Sequence, residues 1–533
     1  MKKKIYQYHR VTSLIVAIPV LLWALSGFMH PLMTNIRPAV ATQFLAPVAI
    51  DSNRLSVPLD AALKQNRIDS FGNFRIVHID TNYFYQVQLP HTPEPIYLSA
   101  KNGKRLPDGN WLYAQYIAKQ FLEGQAKSNA LPGTMAGMTE VATTHDCCDA
   151  ASDYVLNNEK GSKVTNASLV TAFDNEYKSI NRLLPVYKVA FNRADGIRIY
   201  VETTQDRFAF AMNNKRAVFD TLFRLFHLWG WLDWLGKGRL LVELTFVFLA
   251  FCTTLMGLYI FFVTKSKKPL AGQQDATRSV LKARRNHRFT AVAIALFTLL
   301  FTFSGSYHLW YKLNNDPQPL PALKRGFATQ SIHFDYRHLQ QVVGKPILNT
   351  SLVYIDQATY WQVTTRPQSN THTQLHTDLM KDKQAPIPAV VYINTDSYDS
   401  LPRGDWQYAR SLATLFSQHS DKEIASVSLV RSFNSEYNFT DKRLPVYRVG
   451  YTTNSNERFF VETSSGQLAK QLNDNGLRES YSFAFFHKHE FMGWGGKTVK
   501  DISTMFWAMA QVVMVTLGLV LYFTLRKRKN KAA

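Results

Sequence analysis

Two stretches of the 533-residue chain match each other. His9-Arg10 through Ser26-Gly27-Phe28-Met29-His30 returns as His287-Arg288 through Ser304-Gly305-Ser306-Tyr307-His308, with an apolar run inside each. In both, the two histidines lie 21 residues apart, a helical rise of roughly 31 Å, about the thickness of a bilayer's hydrocarbon core. Twenty-one steps of about 100° bring the second histidine to within about 60° of the first around the helix. Each segment therefore carries one imidazole at each membrane face, both turned towards one neighbour. Ionisable side chains in spanning helices are costly and point to function, and imidazole is a common ligand of metals and of haem iron. The alternative, two interfacial histidines at headgroup depth, is disfavoured by the recurrence of the pair.

Four apolar runs, 11–29, 240–263, 289–309 and 504–523, are each near the length a helix needs to cross a bilayer. The net charge of +22 is concentrated between them. Lys2, Lys3, Lys4 and Arg10 precede the first run. Lys265, Lys267, Lys268, Arg278, Lys282, Arg284, Arg285 and Arg288 fill the link between the second and third, and Arg526, Lys527, Arg528, Lys529 and Lys531 follow the last. Less Asp275, these supply +16 of the total. Positive charge stays inside, so both termini and the short link are expected in the cytoplasm and both long segments outside. The basic balance records topology, which argues against a nucleic-acid partner.

The expected organisation is a cytoplasmic start and first span over 1–33, an external domain over 34–235, a span over 236–264 and a basic loop over 265–286. A third span covers 287–311, a second external domain 312–498, a fourth span 499–525 and a basic tail 526–533. The first run resembles a cleavable signal segment, but its internal copy at 289–309 cannot be one, so it is kept as a helix. Three cysteines provide no disulfide framework, and no Cys-x-x-Cys-His is present, so any haem is held non-covalently, as b-type.

The duplication continues outside the first helices. Glu176-Tyr177, Leu184-Pro185-Val186-Tyr187 and Val201-Glu202-Thr203 return 260 residues later as Glu436-Tyr437, Leu444-Pro445-Val446-Tyr447 and Val461-Glu462-Thr463, and Phe226-His227 returns as Phe486-His487. Both halves begin inside, so the repeats are parallel and related by an axis along the membrane normal. Runs 83–89, 197–203 and 360–363 are β-branched and aromatic and predict strands. Gly109-Asn110-Trp111 and Gly404-Asp405-Trp406 predict helix starts with Asn110 and Asp405 as N-caps. The predicted fold is a membrane protein of four transmembrane α-helices in two parallel repeats, with two α+β external domains.

Tyr8-His9-Arg10, Ser26-Gly27, His30, the Gly-Asn/Asp-Trp-x-Tyr-Ala segments and the Leu-Pro-Val-Tyr and Val-Glu-Thr strands before a histidine-led helix occur here in a fixed order. In that order the chain resembles, over nearly its whole length, the PepSY-associated transmembrane family of bacterial inner-membrane proteins. The resemblance implies PepSY-like periplasmic domains, b-type haem held by histidines of a four-helix membrane part, and electron transfer across the inner membrane, as in ferric-siderophore reductases.

A haem that carries electrons takes two axial imidazoles. Six histidines stand at helix ends: His9 and His287 inside, and His30, His227, His308 and His487 outside. The count suits one haem between His9 and His287. Outside, it suits either one haem between His30 and His308, or two in which these take partners from His227 and His487. Two or more haems b are therefore expected. His489 is a weaker candidate, with Trp229 in the corresponding place of the first half. His145 with Cys147 and Cys148 offers imidazole and thiolate for copper or zinc, although adjacent cysteines chelate one ion poorly.

Neither a Gly-x-Gly-x-x-Gly nor a phosphate-binding Gly-x-x-x-x-Gly-Lys-Ser/Thr occurs, so no flavin or nucleotide site is expected. Electrons then come from a membrane quinol or a separate cytoplasmic donor. The remaining charge of +6 outside suits an anionic acceptor such as a ferric chelate. The competing expectations are a non-enzymatic periplasmic sensor or peptidase-inhibitor-like binding protein, and a transporter of a metal or its chelate.

Overall fold

The computed structural model describes residues 2–90, 92–125, 161–265, 275–315, 320–321, 326–366 and 388–532. Its helices, in chain order, are α1 (Lys2–Asn35), α2 (Leu59–Gln65), α3 (Gly109–Glu123), α4 (Asn214–Phe226), α5 (Lys237–Val263), α6 (Asp275–Asn314), α7 (Tyr336–Val343), α8 (Gly404–Ser417), α9 (Asp474–Ser482) and α10 (Gly496–Ala532). The chain divides into two compact units, one of Met1–Arg37, Lys215–Gln318 and Asn475–Ala533, the other of Pro38–Asn214 and Pro319–Asp474.

The first unit is helical. Helices α1, α5, α6 and α10 are long and apolar enough to cross a membrane, and at most 33% of the apolar window of any of them is buried within the protein. Large side chains such as Ile18, Phe262, Leu296 and Phe506 are left outward, the kind of apolar surface that marks a membrane or protein contact. Helices α1 and α6 each pack against both α5 and α10. Helix α6 begins at Asp275, so the second part of the basic link already belongs to it. Short 3-10 turns, Gly230–Leu235 and Glu490–Gly495, lead into α5 and α10.

The second unit is built from small antiparallel sheets. One runs through Asn73–Ile79, Asn82–Gln88, Ile96–Ser99 and Arg105–Leu106, and another through Val164–Val170, Val186–Phe191, Arg198–Glu202 and Arg207–Met212. A third has Ile347–Ile355, Ala358–Thr365 and Ala389–Asn394, and a fourth Ile424–Val430, Val446–Tyr451, Arg458–Glu462 and Gln467–Leu472. The strands predicted around 83–89, 197–203 and 360–363 are among them. Neighbours in sequence pair in each of these sheets, which antiparallel strands can do without a crossover. Registers also correspond, Tyr187 facing Val201 and Tyr447 facing Val461, with irregularities at Tyr200/Val201 and Phe460/Val461.

Both long segments contribute to one core. Leu59, Phe71, Phe74, Tyr85 and Leu98 pack with Phe334, Leu339, Ile347, Leu352 and Trp361. Two asparagines close this contact reciprocally: Leu352 N donates to Asn73 Oδ1 and Ile76 N donates to Asn349 Oδ1, both at 3.1 Å. A buried ionic cluster adds to it, with Arg443 paired to Glu202 and Glu462 at 3.0 Å each, and Arg207 paired to Glu462.

The N-caps differ from expectation. Asp108 and Arg403 occupy those positions, in left-handed conformation and without side-chain caps. Asn110 and Asp405 sit inside the first turn, where their oxygens accept from Tyr97 Oη at 3.1 Å and Tyr392 Oη at 2.8 Å. The glycines set this start two residues early. A Cβ on Gly109 would lie 2.7 Å from Tyr97 and one on Gly404 2.6 Å from Tyr392, so only glycine lets each helix approach its tyrosine.

Candidate functional site

All six histidines singled out at helix ends fall in the helical unit, where they form an inner and an outer group. The ring of His9, on α1, lies against α5: its Nδ1 is 3.1 Å from the Thr253 carbonyl, and a Cβ on Gly257 would stand 3.1 Å from its Cε1. His287, on α6, lies against α10 in the same manner. A Cβ on Gly518 would stand 3.2 Å from its Cε1 and 3.5 Å from its Nδ1, which is buried without a hydrogen-bond partner. A side chain at either glycine would crowd the imidazole beside it.

The outer group contains His30, His227, His308 and His487. Phe223, on α4, touches His30 with ring centres 5.0 Å apart and stacks on His227 at 4.5 Å. Phe483 stacks on His308 at 4.4 Å and on His487 at 4.7 Å. The rings of His227 and His487 meet edge to face at 6.2 Å, joining the two His-Phe-His triplets.

Hydrogen bonds assign the tautomers. Ser26 donates its single hydroxyl proton to the Leu22 carbonyl at 2.6 Å, so towards His227 Nδ1, 3.1 Å away, it is an acceptor. Ser304 donates to the Leu300 carbonyl at 2.8 Å and stands 3.3 Å from His487 Nδ1. His9 Nδ1 faces a carbonyl, which only accepts, and His308 Nδ1 is hydrogen-bonded to the Glu479 carboxylate. In all four rings the proton is therefore on Nδ1 and the lone pair on Nε2, the form in which metal-binding histidines are held by a second shell of acceptors. This donor set fits haem, which asks the protein for paired neutral imidazoles and no third ligand. Among the described residues, no group of three or more His, Cys, Asp or Glu side chains is arranged to hold a bare metal ion.

His489 is fully buried, one rung further in. Its Nδ1 is 2.9 Å from Ser503 Oγ, its Nε2 has no partner, and its ring stacks on Phe301 at 5.1 Å. Phe297 continues the stack to Trp507 at 3.6 Å. In the corresponding place of the first half Trp229 stacks on Trp23 at 5.0 Å, and Trp23 Nε1 donates to the His227 carbonyl at 3.1 Å. His145, Cys147 and Cys148 lie outside the described residues.

Sequence reasoning found the histidines and missed what orients them. Ser26 and Ser304 were visible as part of the repeated Ser-Gly pair, and their spacing of four residues from each histidine along the helix placed them on the same side. Gly257, Gly518 and Glu479 gave no local signal. Compared with known proteins, the chain matches no family model, and no curated protein matches it.

Proposed function

We propose that the chain is a b-type haem oxidoreductase of the bacterial inner membrane that moves electrons outward to a periplasmic acceptor, a ferric chelate of the siderophore kind. In this reading α1, α5, α6 and α10 cross the bilayer as two parallel repeats, both termini are cytoplasmic, and the sheet-rich unit is periplasmic and PepSY-like. The observation that carries it is the common preparation of His9, His227, His308 and His487, each with Nδ1 committed to an acceptor and Nε2 left with its lone pair.

His9 and His287 would hold the inner haem, and His30, His227, His308 and His487, two to a haem, two outer ones. When bound, haem supplies a one-electron couple whose potential the protein sets. The rest belongs to this chain's own residues. Thr253, Ser26, Ser304 and Glu479 fix ring tautomer and direction. Gly257 and Gly518 keep the imidazole edges clear. The aromatic contacts Trp23–Trp229 and Phe301–His489–Phe297–Trp507 pack rings beside the outer group.

The test is proteoliposomes loaded with reduced quinol and given an impermeant ferric chelate outside, with a ferrous-specific chelator as the readout. Oxidation of each quinol to quinone releases two protons and two electrons, which reduce two ferric ions to ferrous. Ferrous production that requires both quinol and protein is expected. Chelate uptake without ferrous production favours the transporter, and neither uptake nor reduction favours the binding protein.

A further inference from the structure

The two halves treat their outer histidines differently. Glu479, on α9, takes a hydrogen bond from His308 Nδ1, and both side chains are shielded, at 13% and 24% exposure. The residue 260 positions earlier is Phe219. It stands four residues before Phe223, as Glu479 stands four before Phe483, and Phe223 and Phe483 are the rings that touch His30 and His308. The same place on the corresponding helix is therefore apolar in one half and anionic in the other.

We infer that Glu479 is a positioning residue that makes the outer haem ligands electronically unequal, so that the site held by His308 works at a lower potential than its counterpart in the first half. This rests on the haem reading above. A carboxylate that accepts the Nδ1 proton gives the imidazole part of the character of an imidazolate. A more basic ligand stabilises ferric over ferrous iron, and second-shell hydrogen bonds are one of the protein's means of setting a haem potential. In a shielded position the charge acts with little screening. The two corresponding sites thereby become an ordered pair, with a downhill direction between them.

The test is a spectroscopic redox titration of the haem-loaded protein and of Glu479→Gln, which keeps an acceptor oxygen and removes the charge. One component should move to higher potential, its ferric-to-ferrous ratio at fixed poise falling on the order of tenfold, about 59 mV for a one-electron couple, while the others stay. Haem content and low-spin spectra are read on the same samples. Full haem with all potentials unmoved would overturn the inference and leave the haem reading standing. A wild-type protein that takes up no haem would overturn both. Should Glu479→Gln lose its haem, Phe219→Glu on the intact background decides: a lowered potential in the other outer component is expected, and unchanged potentials would overturn the inference.

Discussion

A hydroxyl has one proton, and in Ser26 and Ser304 it is already given to a helix carbonyl four residues back. That commitment turns two ordinary serines into acceptors that set the tautomer of His227 and His487. Ser26→Ala or Ser304→Ala leaves a shielded Nδ1–H without a partner and the ring free to turn. Haem affinity is expected to fall about 10- to 100-fold in each, measured by haem retention after dilution, with folding intact by circular dichroism. At the same scale, Glu462 shows what holds the sheet-rich unit. Burial alone would raise its carboxyl, but Arg207 and Arg443 override this and hold it at about 2. A depressed carboxylate contributes stability above its unfolded value near 4.5 and loses it as the pH falls towards about 2. Thermal unfolding of the unit is therefore expected to weaken progressively below about pH 4.5. Glu462→Gln should cost about 3–5 kcal/mol at pH 7, because it leaves two buried guanidiniums to share the single carboxylate of Glu202, and should flatten the acid limb of the profile.

The elements were legible in the sequence to different degrees. Length and hydropathy are sufficient to place α1, α5, α6 and α10, because a helix of about 20 apolar residues carries its own signal. Strands such as Asn82–Gln88 and Ala358–Thr365 are visible for a similar reason, in their β-branched and aromatic runs. The cap positions were misplaced because Asn110 and Asp405 are good caps locally, while a tyrosine 13 residues earlier, on a preceding strand, claims their side chains. Long-range partners leave no local trace: Arg75 meets Asp206 in a fork at 2.5 and 2.8 Å across 131 residues of sequence, and nothing near either residue announces it. Reciprocity between elements gives a test. Asn73 and Asn349 exchange the same bond across the strands they join, so Asn73→Ala and Asn349→Ala should destabilise similarly, each by about 1–3 kcal/mol for a backbone N–H left without its acceptor. Equilibrium unfolding of the two variants checks this, and a large inequality would show that the contact is not reciprocal in energy.

For the whole molecule, the charge pattern and the histidine spacing lead to the same reading by independent routes. The cations cluster at one end of the four apolar runs, the end that the proposed topology puts in the cytoplasm by the positive-inside rule, while the 21-residue separation puts imidazoles at both ends of two helices. The histidine positions were legible because they recur. Their surroundings became visible only when four helices distant in sequence were brought side by side, which puts Gly257 beside His9 and Gly518 beside His287. Glu479 escaped notice because it breaks the repeat. The most direct measurement is the pyridine-haemochrome and reduced-minus-oxidised spectrum of the detergent-purified protein, with haem counted per chain in the wild type, His9→Ala, His287→Ala and, as a control, the exposed His333→Ala. Two or more b-type haems are expected in the wild type and in His333→Ala, with the same single component lost or altered in both inner variants. A colourless protein that takes up no haem on reconstitution, or equal and full occupancy in all four proteins, would contradict the assignment.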